Sequence, residues 1–235
     1  MPTRLLATAA VALLLPTLAA CGGSASSTVA QDSPAGTPSD TGSASASATT
    51  CDYPAQSPAA KKVDPPPATP DVTGTVDATI RTSVGTLDAT LDADKAPCTV
   101  NSFVSLAKQG YFDDTPCHRL TTAAAQFFVL QCGDPTGTGT GGPGYTIPDE
   151  LSGNETYGPG TLAMAKTLEP NSGGSQFFVV YQESPLPPDY TVFGQLTPAA
   201  LKVVQKVGAK GSDNAFNQGD GHPKEKVTIT RVTTG

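Results

Sequence analysis

The chain has 235 residues, 14 of them basic and 21 acidic, for a formal net charge of −7. That balance leaves no basic footprint for nucleic acid and no polybasic patch for anionic lipid. Its acidity implies solubility and nothing about fold.

Residues 1–20 carry one charge, Arg4, ahead of an apolar run over 5–15. This is a signal-peptide layout, too short to span a bilayer as a helix. Leu18-Ala19-Ala20-Cys21 precedes Gly22-Gly23-Ser24, and small residues before a cysteine resemble the lipobox of bacterial lipoproteins. Processing there would make a diacylated Cys21 the new N-terminus. The protein would then be extracytoplasmic and anchored to the cell membrane, each buried methylene contributing about 0.8 kcal/mol. Ordinary secretion, with cleavage after Ala20, is the alternative. Loss of Arg4 takes the charge from −7 to −8, so attachment would rest on lipid rather than on basic residues.

Residues 22–50 are almost wholly Ser, Ala, Thr, Gly and Pro, with Asp32 and Asp40 the only charges. Such a segment buries too little apolar surface to offset its ordering entropy. Residues 51–75 are richer in proline, including Pro65-Pro66-Pro67, which favours a stiffer, extended spacer. The expected organisation is a signal peptide over 1–20, a lipidated N-terminus and flexible tether over 21–75, and one domain over 76–235. Cys51-Asp52-Tyr53 marks where the tether would first touch that domain.

Within the domain, short-period alternation dominates. Val76, Ala78 and Ile80 alternate with polar residues, Ser83-Val84-Gly85 turns the chain, and Leu87, Ala89 and Leu91 alternate again. That pattern predicts a hairpin. Pro97 suits a helical first turn, Val100, Phe103, Val104 and Ala107 form one face, and Gly110 ends the helix. Strands are expected at 117–120, 127–132, 161–165, 176–181, 190–195 and 226–232. Thr197 as cap, Pro198, then Leu201, Val204 and Val207 predict a second helix. Eight short strands with two helices make a mainly β domain, a closed eight-stranded antiparallel barrel whose ends the helices cap.

Besides Cys21, the cysteines are Cys51, Cys98, Cys117 and Cys132. An even number in an oxidising compartment favours two disulfides, with three connectivities open. Metal binding is disfavoured, because no Cys-x-x-Cys pair exists and His118 and His222 are far apart in sequence. Free buried thiols are the remaining alternative.

The glycine-rich run from Gly133 to Gly142 lacks the lysine and following helix of a phosphate loop, so tight turns at a barrel rim are expected instead. His118 has no nucleophile motif beside it, and its adjacent Cys117 should point the other way along a strand. His222 lies among Gly, Asp and Pro, as a surface residue would. The remaining chemistry-bearing set is split along the chain. It comprises Cys117-His118-Arg119-Leu120, Phe127-Phe128-Val129-Leu130-Gln131 and Gly174-Ser175-Gln176-Phe177-Phe178. One arginine, two glutamines and several phenylalanines describe an apolar pocket with a fixed cation beside it. Each phenylalanine taken alone could equally be plain core.

Several ordered motifs then resemble one family. Phe112-Asp113-Asp114-Thr115 leading into His118-Arg119 looks like the strand entry of the cyclophilins. Phe128-x-x-Gln131-x-Gly133-Asp134, Leu162-Ala163-Met164-Ala165, the Gly174–Phe178 motif and Val192-Phe193-Gly194 are similar to family motifs in the same order. The resemblance implies an eight-stranded barrel with two helices. It also implies peptidyl-prolyl cis–trans isomerisation with no cofactor and no metal. Arg119 would stabilise the twisted amide, Gln131 would orient it, and Phe128, Val129, Phe178 and Leu186 would hold the proline ring. Gln176 would bond the peptide, and the backbone around Lys166, over 165–167, would pair with it as an added strand does. His118 and Tyr190 complete the expected substrate contacts, and Phe193 is expected in the core.

The chain departs from the family pattern at four points. Eight residues, 120–127, separate Arg119 from Phe128 where the family typically has four, which leaves Phe127 and Phe128 competing for the pocket; counting back from Gln131 favours Phe128. Val129 replaces a methionine, and Tyr190 stands where histidine is common. Pro185 falls where many eukaryotic members carry the tryptophan that binds cyclosporin. The expected partners are proline-containing exported or surface polypeptides, with the protein a monomer. The rival readings are a holdase or proline-peptide binding module without turnover, and a surface lipoprotein that merely displays the domain.

Overall fold

The structure is a computed structural model that describes residues 49–56 and 58–235. The expected signal peptide, Cys21 and the first part of the tether lie outside the described residues. Strands β1 (Thr75–Thr82) and β2 (Gly85–Asp92) form the expected hairpin, paired in unbroken register from Thr75↔Asp92 to Thr82↔Gly85. Its alternation puts Ala78, Ile80, Leu87, Ala89 and Leu91 inside. Helix α1 (Pro97–Lys108) follows, and the face expected from its spacing, Val100, Phe103, Val104 and Ala107, is buried. Its first turn is closed by a distant carboxylate: the amides of Cys98 and Thr99 donate to Glu150 Oε1 and Oε2 at 2.8 and 2.9 Å. A negative charge at that end complements the helix dipole.

Six strands and the second helix complete the regular chain as far as Leu196 and Lys210. They are β3 (Thr115–Pro116), β4 (Arg119–Thr121), β5 (Val129–Cys132), β6 (Thr161–Met164), β7 (Phe177–Val180), β8 (Val192–Leu196) and α2 (Pro198–Lys210). Thr197 caps α2 by accepting from the Ala200 amide. Two strands remain, β9 (Asp220–Gly221) and β10 (Thr228–Thr234). The sheet order is β3-β10-β1-β2-β8-β6-β7-β5-β4-β9, with every ladder antiparallel. Only Cys117 and His118 separate β3, which pairs with β10, from β4, which pairs with β5. One continuous stretch of chain therefore runs from the end strand β3 to β4, next to the other end, and the sheet is curled like a half-barrel. Ten strands replace the expected eight because the strand at 117–120 is split in two and the two-residue β9 has no periodic signal.

The interior is aromatic. Phe103 packs on Phe112, Phe177 and Phe193, with centroids 5.0, 5.6 and 5.5 Å away, so Phe193 is core as expected. Period-2 alternation on β5, β6 and β7 sends Leu130, Leu162, Phe177 and Val179 into this interior. It sends Val129, Ala163, Phe178 and Val180 to a second apolar cluster on the other face. Among the described residues, no helix is long and apolar enough to cross a membrane.

The proline-rich stretch is a strap on the domain rather than a spacer away from it. Cys51 is disulfide-bonded to Cys98 at the start of α1, and the second disulfide is Cys117–Cys132. Tyr53 Oη donates to the Cys98 carbonyl, and Asn101 Nδ2 donates to Tyr53 Oη and to the Pro67 carbonyl. Lys61 Nζ donates to the carbonyls of Tyr111 and Asp113 at 3.0 and 2.7 Å, just past the end of α1. A cation suits that end of a helix. The packed unit thus extends N-terminal to the boundary expected at residue 76.

Candidate active site

The second apolar cluster lies on the outer face of the sheet. Val129, Tyr157, Ala163, Phe178 and Val180 are its buried members, and Phe127, Leu186 and Tyr190 pack on it, partly buried. The Tyr190 ring stands edge-on to Phe178 at 5.3 Å. Tyr157 fixes Tyr190 from below, donating its hydroxyl to the Tyr190 carbonyl and accepting from the Tyr190 amide. Sequence reasoning missed Tyr157, which sits in an irregular stretch without periodicity.

The structure packs the two phenylalanines on different sides. Phe127 packs on the second cluster, and its ring lies 5.7 Å from the Arg119 guanidinium carbon. Phe128 faces the other way, packing on Tyr181 at 5.7 Å against the main core. Within β5, Val129 and Gln131 share one face and Leu130 and Cys132 the other, and the two phenylalanines lie in the turn just before that strand. The extra residues before the strand are taken up by a 3₁₀ turn over Ala123–Ala125 and by Gln126, whose φ of 68° is left-handed.

Arg119 stands beside this cluster, opposite Gln131 in the β4–β5 ladder. Its Nε and Nη2 donate to Asp220 Oδ1 and Oδ2 at 2.8 and 2.7 Å, and Nη1 lies 3.4 Å from Gln131 Oε1. Hydrogen bonding to Asp220 raises the arginine's pKa further, so the group is a permanent cation. Gln131 Nε2 donates in turn to Gln176 Oε1 at 2.9 Å, and Gln176 Nε2 donates to the carbonyls of Gly139 and Gly141. A single polar relay therefore runs from Asp220 through Arg119 and both glutamines to the glycine-rich loop.

That loop is organised by Asp134, which is fully buried. Its carboxylate accepts from the amides of Thr136, Gly139 and Gly141 at 2.7, 2.8 and 3.0 Å, and from the Thr136 hydroxyl. Burial would raise its pKa, but these hydrogen bonds prevail and hold it below the ordinary value. His118 lies beneath the loop, 5% exposed, and neither ring nitrogen has a hydrogen-bond partner among the described residues. A Cβ placed on Gly139 would come 3.5 Å from its ring. Burial lowers its pKa, so the imidazole is neutral. It supports the loop and is not part of the second cluster.

On the far side of Gln176 the loop, the strap and the 165–172 segment enclose a cavity of about 370 Å³. Lys166 lines it with Thr167 and Ser172, and Gln56 and Pro58 supply the wall from the strap. The Ala165 amide donates to the Gln176 carbonyl and the Thr167 amide to Ser172 Oγ. Lys166 lies between these two anchored residues. Its Nζ is held by Asp149 at 3.1 Å.

A curled antiparallel sheet with two helices, carrying an outer apolar cluster beside a guanidinium fixed by a carboxylate, places the chain in a mainly β class of fold. The family model for "Cyclophilin type peptidyl-prolyl cis-trans isomerase/CLD" matches residues 77–234, and the chain belongs to that family. It is 50% identical over 151 residues to the "Probable peptidyl-prolyl cis-trans isomerase B" of Mycobacterium tuberculosis, covering 59% of this chain and 48% of that one. The "Peptidyl-prolyl cis-trans isomerase B" of Bacillus subtilis is 46% identical over 106 residues, 44% of this chain and 71% of that one. This chain spans about half the length of the mycobacterial relatives it matches. Among solved structures, a cyclophilin type peptidyl-prolyl cis-trans isomerase of Cryptosporidium parvum has a TM-score of 0.59 at 29% identity, covering 68% of this chain and 98% of that one. The same protein was also solved in the presence of the dipeptide Ala-Pro, with a TM-score of 0.58.

Proposed function

We propose that this chain is a peptidyl-prolyl cis–trans isomerase acting on X-Pro bonds of exported or surface proteins. The single observation that carries the reading is the guanidinium of Arg119, fixed by Asp220 and Gln131 beside the Phe127–Phe178 cluster. An X-Pro bond rotates slowly because twisting breaks amide resonance, at a barrier of roughly 18–20 kcal/mol. No bond to an atom is made or broken, so the reaction asks only for preferential stabilisation of the twisted state. In that state the prolyl nitrogen recovers its lone pair and becomes an acceptor. A donor held beside it binds the transition state better than the ground state. The apolar pocket holds the ring, and the backbone of Lys166 pairs with the flanking peptide.

The test is the cis–trans exchange rate of an X-Pro peptide with and without the protein, alongside suppression of client aggregation. Acceleration supports the isomerase; aggregation suppression with an uncatalysed exchange rate would replace it with the holdase reading. The pocket assignment has its own check. Phe127→Ala should reduce kcat/KM roughly tenfold, the order expected from lost apolar and cation–π contact, with little change in thermal stability. Phe128→Ala should do the reverse, destabilising by about 2–3 kcal/mol because it is only partly buried, with kcat/KM nearly unchanged.

The site of action is proposed on two supports. The leader-like and lipobox-like residues before Cys21 would place the chain on the membrane surface. Two disulfides suit an oxidising compartment. A mature mass lacking acyl groups at Cys21 would leave secretion instead.

A further inference from the structure

Asp220 is 101 residues from Arg119 in sequence, and its carboxylate holds the Nε and Nη2 edge of the guanidinium. Resting on the isomerase reading above, we propose that Asp220 is a positioning residue for catalysis. It would act through Arg119 by fixing which N–H groups face the substrate.

The stereochemistry of a guanidinium supports this. Arginine has five N–H groups in a rigid planar fork. Asp220 takes Nε–H and one Nη2–H on one side, and Gln131 takes Nη1 on the other. One N–H on each terminal nitrogen then remains at the end of the fork. Two parallel donors can reach a prolyl nitrogen and a neighbouring carbonyl oxygen together. Without the carboxylate, rotation about the last side-chain torsions would exchange these edges and spread the donors over several directions.

The carboxylate is itself held. Asp220 is 9% exposed, so it is not a loosely solvated surface charge. β9 pairs with β4 through Thr121↔Asp220 and Leu120↔Gly221, placing Asp220 two register positions along the ladder from Arg119. The turn before it is closed by the Asp220 amide donating to the Asn217 carbonyl. Gly219, at φ +80°, sits so close to the 3₁₀ turn that a Cβ there would come 2.7 Å from Ala124 Cβ and from the Ala125 amide nitrogen. Thr122 donates its amide and hydroxyl to the Gly219 carbonyl. The insertion between Arg119 and Phe127 therefore braces the loop that presents Asp220. Asp213 ties the loop's other end, accepting from the His222 amide, with its second oxygen 2.9 Å from His222 Nδ1.

The test uses Asp220→Asn in the full chain, alone and combined with Arg119→Ala. The single variant should lose about tenfold to a hundredfold in kcat, the scale of a misplaced catalytic group, with KM changed less than twofold. In the Arg119→Ala background the same substitution should change kcat less than twofold. Dynamics of the Arg119 Nε–H group by NMR give a readout independent of turnover: ordered in the wild type, mobile in Asp220→Asn. Wild-type kcat in the single variant, an equal loss in both backgrounds, or a loss confined to KM would overturn the proposal. A wild type that fails to accelerate exchange would instead overturn the isomerase reading, and the NMR measurement would still decide whether Asp220 fixes the arginine.

Discussion

Replacing Arg119 by alanine should lower kcat/KM for an X-Pro peptide by about two to three orders of magnitude, the range seen on removing one preorganised donor from a transition state. That range corresponds to about 3–4 kcal/mol. The apolar pocket is contributed by other strands and would remain, so KM should move far less than kcat. Arg119→Lys should recover little of the loss. A lysine ammonium has no planar fork, and it cannot hold both oxygens of Asp220 while presenting two parallel donors to the substrate. Cooperative thermal unfolding of both variants would separate lost chemistry from lost fold. Retention of wild-type kcat/KM by the alanine variant would sink the role given to Arg119, whatever the stability data showed.

Local pattern carried the barrel and the two helices, because alternation and capping are written in neighbouring residues. β1 and β2 alternate over their whole length, and Pro97 and Thr197 announce their helices. It carried Arg119, Gln131, Gln176 and Phe178 into the site for the same reason, since each belongs to a short motif on a strand. Motif spacing from Gln131 favours Phe128, and the packing of Phe127 toward Arg119 and of Phe128 toward Tyr181 depends on the turn before β5. Asp220 was out of reach, because nothing local in Gly219-Asp220-Gly221 says that it pairs with a strand a hundred residues earlier. The docking of the strap is not written locally either. Proline content sets backbone stiffness, but the docking of 51–72 depends on long-range contacts such as Lys61 on the end of α1 and Cys51 on Cys98.

The two disulfides should separate stability from activity. Cys51–Cys98 spans 47 residues and Cys117–Cys132 spans 15. Loop-closure entropy assigns them about 4 and about 3 kcal/mol respectively. Removing the first pair as Cys51→Ala/Cys98→Ala should therefore lower Tm by roughly 10 °C, at about 2–4 °C per kcal/mol for a domain of this size. The strap would loosen from α1, taking with it the Tyr53 and Asn101 hydrogen bonds. The strap meets the site at the cavity wall of Gln56 and Pro58 and through the Gln56 and Ala60 amides, which donate to the Gly144 and Gly142 carbonyls at the end of the glycine-rich loop. It touches neither Arg119 nor Gln131 through these bonds, so kcat/KM should fall no more than a fewfold. The second pair should behave oppositely. Cys117 lies two residues before Arg119 and Cys132 lies next to Gln131, so this crosslink fixes the two strands that carry the polar relay. Cys117→Ala/Cys132→Ala should cost less Tm and more kcat than the first double variant. Calorimetry and exchange kinetics on both variants test the ordering. Equal losses of kcat would show that the Cys117–Cys132 crosslink contributes only to stability.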